Sequence, residues 1–224
     1  MKRLTARITT FEPMLGTSPS NKEIYREFIG SKAPDASSVE DEVAALGADA
    51  VAEKGMTVFA RNAEGKPVIW DYQIRGMFKD ACQMLSRVAG KDPETGKKLK
   101  GANESSKLTA YKKVIDGLIF VQPRQIPVDF DGDMTICERP LRAQTLQGER
   151  VALASSEQIP AGAVLEFDVI CLNDEHVKAV REWLDYGFLR GLGQWRNSGM
   201  GRFTWEEVAC VECSPREISG RRGA

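Results

Sequence analysis

The sequence predicts an α+β fold in which two helices cover one face of an antiparallel sheet, and three observations predict it. Segments near the start, middle and end alternate apolar and polar residues with a period of two: "KRLTARITTF", "AVLEFDVICL" and "MGRFTWEEVACV". That period marks a half-buried strand. Two other segments, "QIRGMFKDACQMLSRVAG" and "NDEHVKAVREWLDYG", repeat apolar residues at helical spacing. Their order, with one more strand inside "VIDGLIFVQPRQIPV", is β–α–β–β–α–β. This is the split βαβ arrangement of a ferredoxin-like, or RRM-like, core.

Taken in order, the first strand places Leu4, Ala6 and Ile8 on one face. A turn-rich stretch, "EPMLGTSPSN", leads to "KEIYREFIG", with Ile24, Tyr25 and Phe28 at helical spacing and a stop at Gly30. "SSVEDEVAALGADAVAEKG" reads as a second, acidic helix, so residues 20–54 form a helical insertion. "TVFARNAEGKPVIWDY" is a hairpin turning around Asn62 to Lys66. The first core helix carries Ile74, Met77, Phe78, Ala81, Leu85 and Val88 and closes at Gly90. Residues 90–110 are polar and rich in glycine and lysine, the composition of a mobile loop. "VIDGLIFVQPRQIPV" reads throughout as a strand broken by Pro123 and Pro127, and residues 129–160 as a long irregular hairpin. The second core helix starts at Asn173 or Asp174, buries Val177, Val180, Trp183 and Leu184, and closes at Gly187. The chain, 1–224, reads as one domain carrying these insertions.

A formal net charge of −1 over 224 residues excludes binding of a polyanion through bulk charge, so any such site must be local. Five cysteines, with no signal peptide and no long apolar run, read as a reduced, cytoplasmic protein without a membrane span. Cys210 and Cys213 form the one CxxC and His176 is the one histidine, too few ligands for structural zinc. His176 reads as a solvated residue of a helix first turn. Asp129, Asp131 and Asp133 have the opening spacing of a calcium loop. However, Gly132 falls too early and Pro140 stands where the bidentate glutamate is needed. No metal and no cofactor is expected.

"GLGQWRNSGMGRF" packs four glycines into residues 191–203. It follows a helix and precedes a strand, the reverse of a dinucleotide fingerprint, and lacks the G-K-[ST] of a phosphate-binding Walker loop. An ordinary connection of this kind needs about one glycine. Amides facing outward at Gly191, Gly193, Gly199 and Gly201, with Arg190, Arg196 and Arg202 beside them, would suit the phosphates of a nucleic-acid backbone.

Three segments in this order resemble the RAMP superfamily, in particular the backbone subunits of CRISPR effector complexes. "GKPVIWDYQIRGMFKDACQML" is similar to that family's strand, turn and first core helix. "ERPLRAQTLQGERVALASSEQIPAGAVLEFDVICL" is similar to its thumb hairpin entering a core strand. "VREWLDYGFLRGLGQWRNSGMGRF" is similar to its signature helix and glycine-rich loop. Together they cover most of residues 56–208. Tyr72 and Gln73 stand where the family has small residues. The resemblance implies a protein that binds the backbone of single-stranded RNA or DNA and polymerises along it. Such a protein would serve in an effector beside other subunits, or as a single-strand binder of a phage or mobile element.

On that reading phosphates sit on the glycine loop and near Arg75 and Lys79, and the thumb lies across the strand through Arg139, Arg142 and Arg150. Trp195 either stacks on a base or anchors the loop, and Arg139 and Arg142 are equally readable as solvated hairpin residues. Two other functions stand beside it. One is a metal-dependent endoribonuclease, for which Asp35 in "SKAPDASS" is the candidate residue. The other is a scaffold that binds proteins through the acidic insertion.

Overall fold

A computed structural model describes residues 1–19, 56–88, 90, 94–96, 101, 103–145, 148–215 and 217. Residues 20–54, expected to be a helical insertion and including Asp35, lie outside the described residues. The protein is a mixed α+β structure. Its central sheet is antiparallel and four-stranded, built from β1 (Lys2–Thr10), β7 (Ile119–Gln122), β11 (Val164–Cys171) and β12 (Phe203–Glu212). The strands lie in the order β12-β1-β11-β7. Helices α1 (Asp71–Val88) and α4 (His176–Arg190) pack on one face. The alternation read from the sequence decides that face. Leu4, Ala6 and Ile8 of β1 and Leu165, Phe167 and Val169 of β11 join one core with Ile74, Phe78, Val180 and Trp183 of the helices.

The hairpin β5 (Ala60–Arg61) and β6 (Pro67–Trp70) forms a small separate sheet with β8 (Gln125–Pro127). The thumb is regular, with β9 (Thr135–Thr145) pairing β10 (Gly148–Ile159) from Gln158↔Thr135 to Gly148↔Thr145. At its base β10 also joins β2 (Met14–Leu15) and β4 (Thr57–Val58), and β3 (Ser18–Pro19) pairs with β4. Among the described residues no helix is long and apolar enough to cross a membrane.

Four further expectations change besides the regularity of the hairpin. Residues 114–118 are helical, part of α3 (Tyr111–Leu118), because Tyr111, Ile115 and Leu118 share a helical face on which Ile115 is fully buried. Within 90–110, Glu104–Lys107 form the short helix α2 under an Asn103 capping box, and its Ser105 is buried and accepts from Trp183 Nε1 at 2.9 Å. Helix α4 runs through Gly187 to Arg190. His176, its first residue, is 8% exposed rather than solvated, and burial lowers its pKa.

Candidate nucleic-acid interface

The glycine loop begins where α4 stops, at Gly191 with φ 76°. It closes on itself through Leu192 N–H to Gly201 O (2.9 Å) and is tied to the segment after β1 through Gly201 N–H to Pro13 O (2.8 Å). A Cβ at Gly201 would lie 1.9 Å from Leu192 O, and one at Gly193 2.7 Å from Leu15 O. These glycines are there because backbones approach too closely for any side chain. The expectation of outward amides is therefore corrected at three positions. Gly191, Gly199 and Gly201 donate to Gly187 O, Arg196 O and Pro13 O, so those groups are already spent. The loop acts as a stiff frame for the side chains it carries.

Arg190, the last residue of α4, and Arg196 of the loop converge on α1. Asp80 Oδ2 accepts from Arg190 Nε at 2.9 Å and from Arg196 Nη1 at 3.0 Å. One carboxylate thus positions two guanidiniums and neutralises only one. Arg190 also donates to Asn197 Oδ1 at 2.6 Å, and its hydrogen bond to Asp80 raises its pKa.

The thumb base meets the loop at Arg139, which is 8% exposed. Its Nη1 donates to Ser156 Oγ and its Nη2 to Gln194 Oε1, both at 3.0 Å. Ser156 and Thr57 hydroxyls lie 2.7 Å apart, and Thr57 donates to Gln194 Oε1 at 3.4 Å. Because Thr57 has one proton and spends it on Gln194, Ser156 donates to Thr57, and the network closes as a ring. Among the described residues no carboxylate pairs with Arg139. Its guanidinium carbon lies 5.2 Å from the centroid of the Trp195 ring, a cation–π contact. Trp195 sits at φ 54°, a left-handed conformation that costs a non-glycine residue about 1–2 kcal/mol. It is 39% exposed, so the residue that contacts Arg139 also meets solvent.

Gly193 and Arg196 also line a half-open groove of about 270 Å³ with Gln73, Gly76, Thr17 and the apolar Ile69, Met77 and Leu192. Gln73 is fixed there, accepting from Trp70 N–H at 2.7 Å and donating to Thr17 Oγ1. Arg202 completes the loop, with its guanidinium against Gly199 and its Nε buried without an acceptor among the described residues.

Other expected contacts fall elsewhere. Arg75 pairs with Asp71 at 3.0 Å and lines a different groove, and Lys79 pairs with Asp116 of α3 at 2.6 Å. Arg142 occupies β9 opposite Val151, and its side chain is outside the described residues, as is that of Arg150. Asp129 pairs with Lys66. Among the described residues no group of three histidines, cysteines or carboxylates is placed to hold a metal ion. Sequence reasoning missed Asp80, Gln194, Thr57 and Ser156, whose roles depend on contacts between distant segments.

No family model and no curated protein matches the sequence. Among solved structures the chain is similar to a chain of the Type III-B Cmr-beta bound to cognate target RNA, with a TM-score of 0.52 and 11% identity. The match covers 95% of this chain and 61% of that one, so this chain spans under two thirds of its neighbour's length. At that identity the two share a fold.

Proposed function

We propose that this chain is a ferredoxin-like RAMP protein that binds the backbone of single-stranded RNA, and that copies of it line up along the strand as an effector backbone does. One observation carries the reading: Arg139 is held almost buried, without an acidic partner among the described residues, beneath a half-exposed Trp195. Beside it stand Arg190 and Arg196, which share a single carboxylate. A guanidinium satisfied only by neutral acceptors is not cancelled by a carboxylate, so its positive field acts on an anion that docks nearby. A neighbouring exposed indole suits a base attached to that anion. The chain's slight overall negative charge is compatible with this because the cations are collected in one place.

The test is fluorescence anisotropy with labelled single-stranded RNA and DNA of the same sequence. Wild-type protein should bind RNA, and Arg196→Glu with Trp195→Ala should lose most of that affinity while the melting curve is kept. Unchanged affinity in the folded double variant, or no binding by the wild type, would overturn the reading.

A further inference from the structure

A groove of about 890 Å³ lies away from the glycine loop and over the face of the central sheet that the helices leave open. Register identifies that face. Val121 and Val169 point into the core, 5% and 0% exposed, so their neighbours Phe120, Gln122, Asp168 and Ile170 belong to the opposite side. There Phe120 sits beside Ile170 and Gln122 beside Asp168 in successive cross-strand pairs. Phe120 is 39% exposed although it is a large aromatic on a sheet, and Ile170 beside it is buried, which gives the groove an apolar floor. Arg75 and Arg124 stand on its rim. The acidic lining is already engaged: Asp71 holds Arg75, and Asp168 accepts from Thr5 Oγ1 at 2.6 Å. Arg124 has no acidic partner among the described residues, and its guanidinium carbon lies 5.8 Å from the Trp70 ring centroid. Trp70 in turn stacks with Tyr72 at 6.2 Å and an interplanar angle of 13°.

We infer that this groove is a second nucleotide-binding surface, which takes a short stretch of single-stranded RNA with a base on Phe120 and its phosphate at Arg124 and Arg75. The inference rests on the function proposed above and adds a site that none of the glycine-loop residues touches. The chemistry favours nucleic acid over an apolar peptide because the exposed Phe120 ring is flanked by guanidiniums, one of them without a carboxylate among the described residues. An open sheet face with exposed aromatics is a known way of holding unpaired bases. Each base stacked on an aromatic strengthens binding by about tenfold or more. One strand that reaches both surfaces would gain affinity through linkage alone.

The experiment is photo-cross-linking of the full chain to single-stranded RNA containing 4-thiouridine, followed by tryptic mapping. Two peptides should carry the adduct: residues 191–196, which include Trp195, and residues 114–124, which include Phe120. Phe120→Ala with Arg124→Glu should remove only the second adduct and weaken binding of long RNA about tenfold, the scale of one lost stacking contact. Phe120 is 39% exposed and Arg124 is exposed, so the double variant should stay folded. RNA that cross-links to 191–196 alone, with undiminished affinity in the folded double variant, would overturn the second surface and leave the first standing. RNA that cross-links to neither peptide would overturn both.

Discussion

Gly187 of α4 lies directly beneath the ring of Phe203, the first residue of β12: a Cβ on Gly187 would stand 2.0 Å from the Phe203 Cζ. The glycine therefore serves packing rather than helix termination. Gly187→Ala should gain the helix propensity of alanine, up to about 1 kcal/mol, and lose more through overpacking, about 1–3 kcal/mol. The net effect should be a lower melting temperature. Phe203→Leu should rescue part of that loss in the double variant, because it removes the ring that the new methyl meets. Additive losses in a double-mutant cycle would show that the two residues do not clash.

Gly199 and Gly201 should separate in the same kind of experiment. A methyl at Gly201 meets the Leu192 carbonyl, which is backbone and cannot move without opening the loop. At Gly199 it meets only the flexible end of Arg202, at 3.3 Å, so the cost is the strain of φ 87°. Gly199→Ala should lose about 1–2 kcal/mol and stay folded. Gly201→Ala should lose substantially more, read as a larger drop in urea midpoint. Equal losses would mean that the loop carbonyl yields.

Much of the core was legible in the sequence because its signals are local. The period of two in β1 and β11 and the helical period from Ile74 to Ala81 each name a buried face without knowledge of a partner. What escaped depends on residues far apart. The run past Gly187 is explained by Phe203, and the helical state of Val114 and Ile115 by burial of one face of α3. Four glycines marked the loop correctly as unusual, yet three of their amides are spent inside the fold, which composition cannot reveal. The arginines of the loop were also visible as candidates, but not their sharing of Asp80. In a linear reading, "FKDACQ" presents Asp80 as an ordinary solvated helix carboxylate.

That sharing sets an electrostatic prediction. RNA affinity should fall with salt by about 0.7 log units per log unit for each phosphate neutralised. Arg196→Ala should flatten the slope by about one such step. Asp80→Asn should steepen it or leave it unchanged, since it frees both Arg190 and Arg196 from their common counter-charge. A flatter slope in Asp80→Asn would show that Asp80 matters for arginine placement more than for neutralisation.

His176 sets a pH prediction. Burial lowers its folded pKa below the ordinary value of 6.5, so the folded protein prefers the neutral imidazole. Its Nδ1 is buried without a hydrogen-bond partner among the described residues. As pH falls below about 6.5 the unfolded chain binds the proton first, and stability drops until the folded-state pKa is passed. Urea midpoints measured from pH 7 down to about pH 5, above the main carboxylate range, should therefore decline. His176→Gln should flatten the decline, whatever it does to stability at pH 7. A variant with the wild-type slope would assign the acid sensitivity to other groups.

The thumb sets the prediction for assembly. Register places Ile136 opposite Glu157 and Leu153 opposite Pro140, so both apolar residues lie on one face of the hairpin, about 13 Å apart along the strands. They are 60% and 58% exposed, while Arg139, one position over from Pro140, faces the glycine loop. The hairpin thus turns two large aliphatic residues to solvent while Arg139 binds the body from its other face. Full burial of such a side chain yields about 1.5–3 kcal/mol, enough for the pair to matter if a neighbouring copy covers them. With long single-stranded RNA, wild-type protein should give complexes that grow by regular increments in light scattering. Ile136→Ser with Leu153→Ser should stop that growth and preserve both the melting curve and binding of a short oligonucleotide. Growth that continues unchanged in the folded double variant would remove the thumb face as the contact between copies.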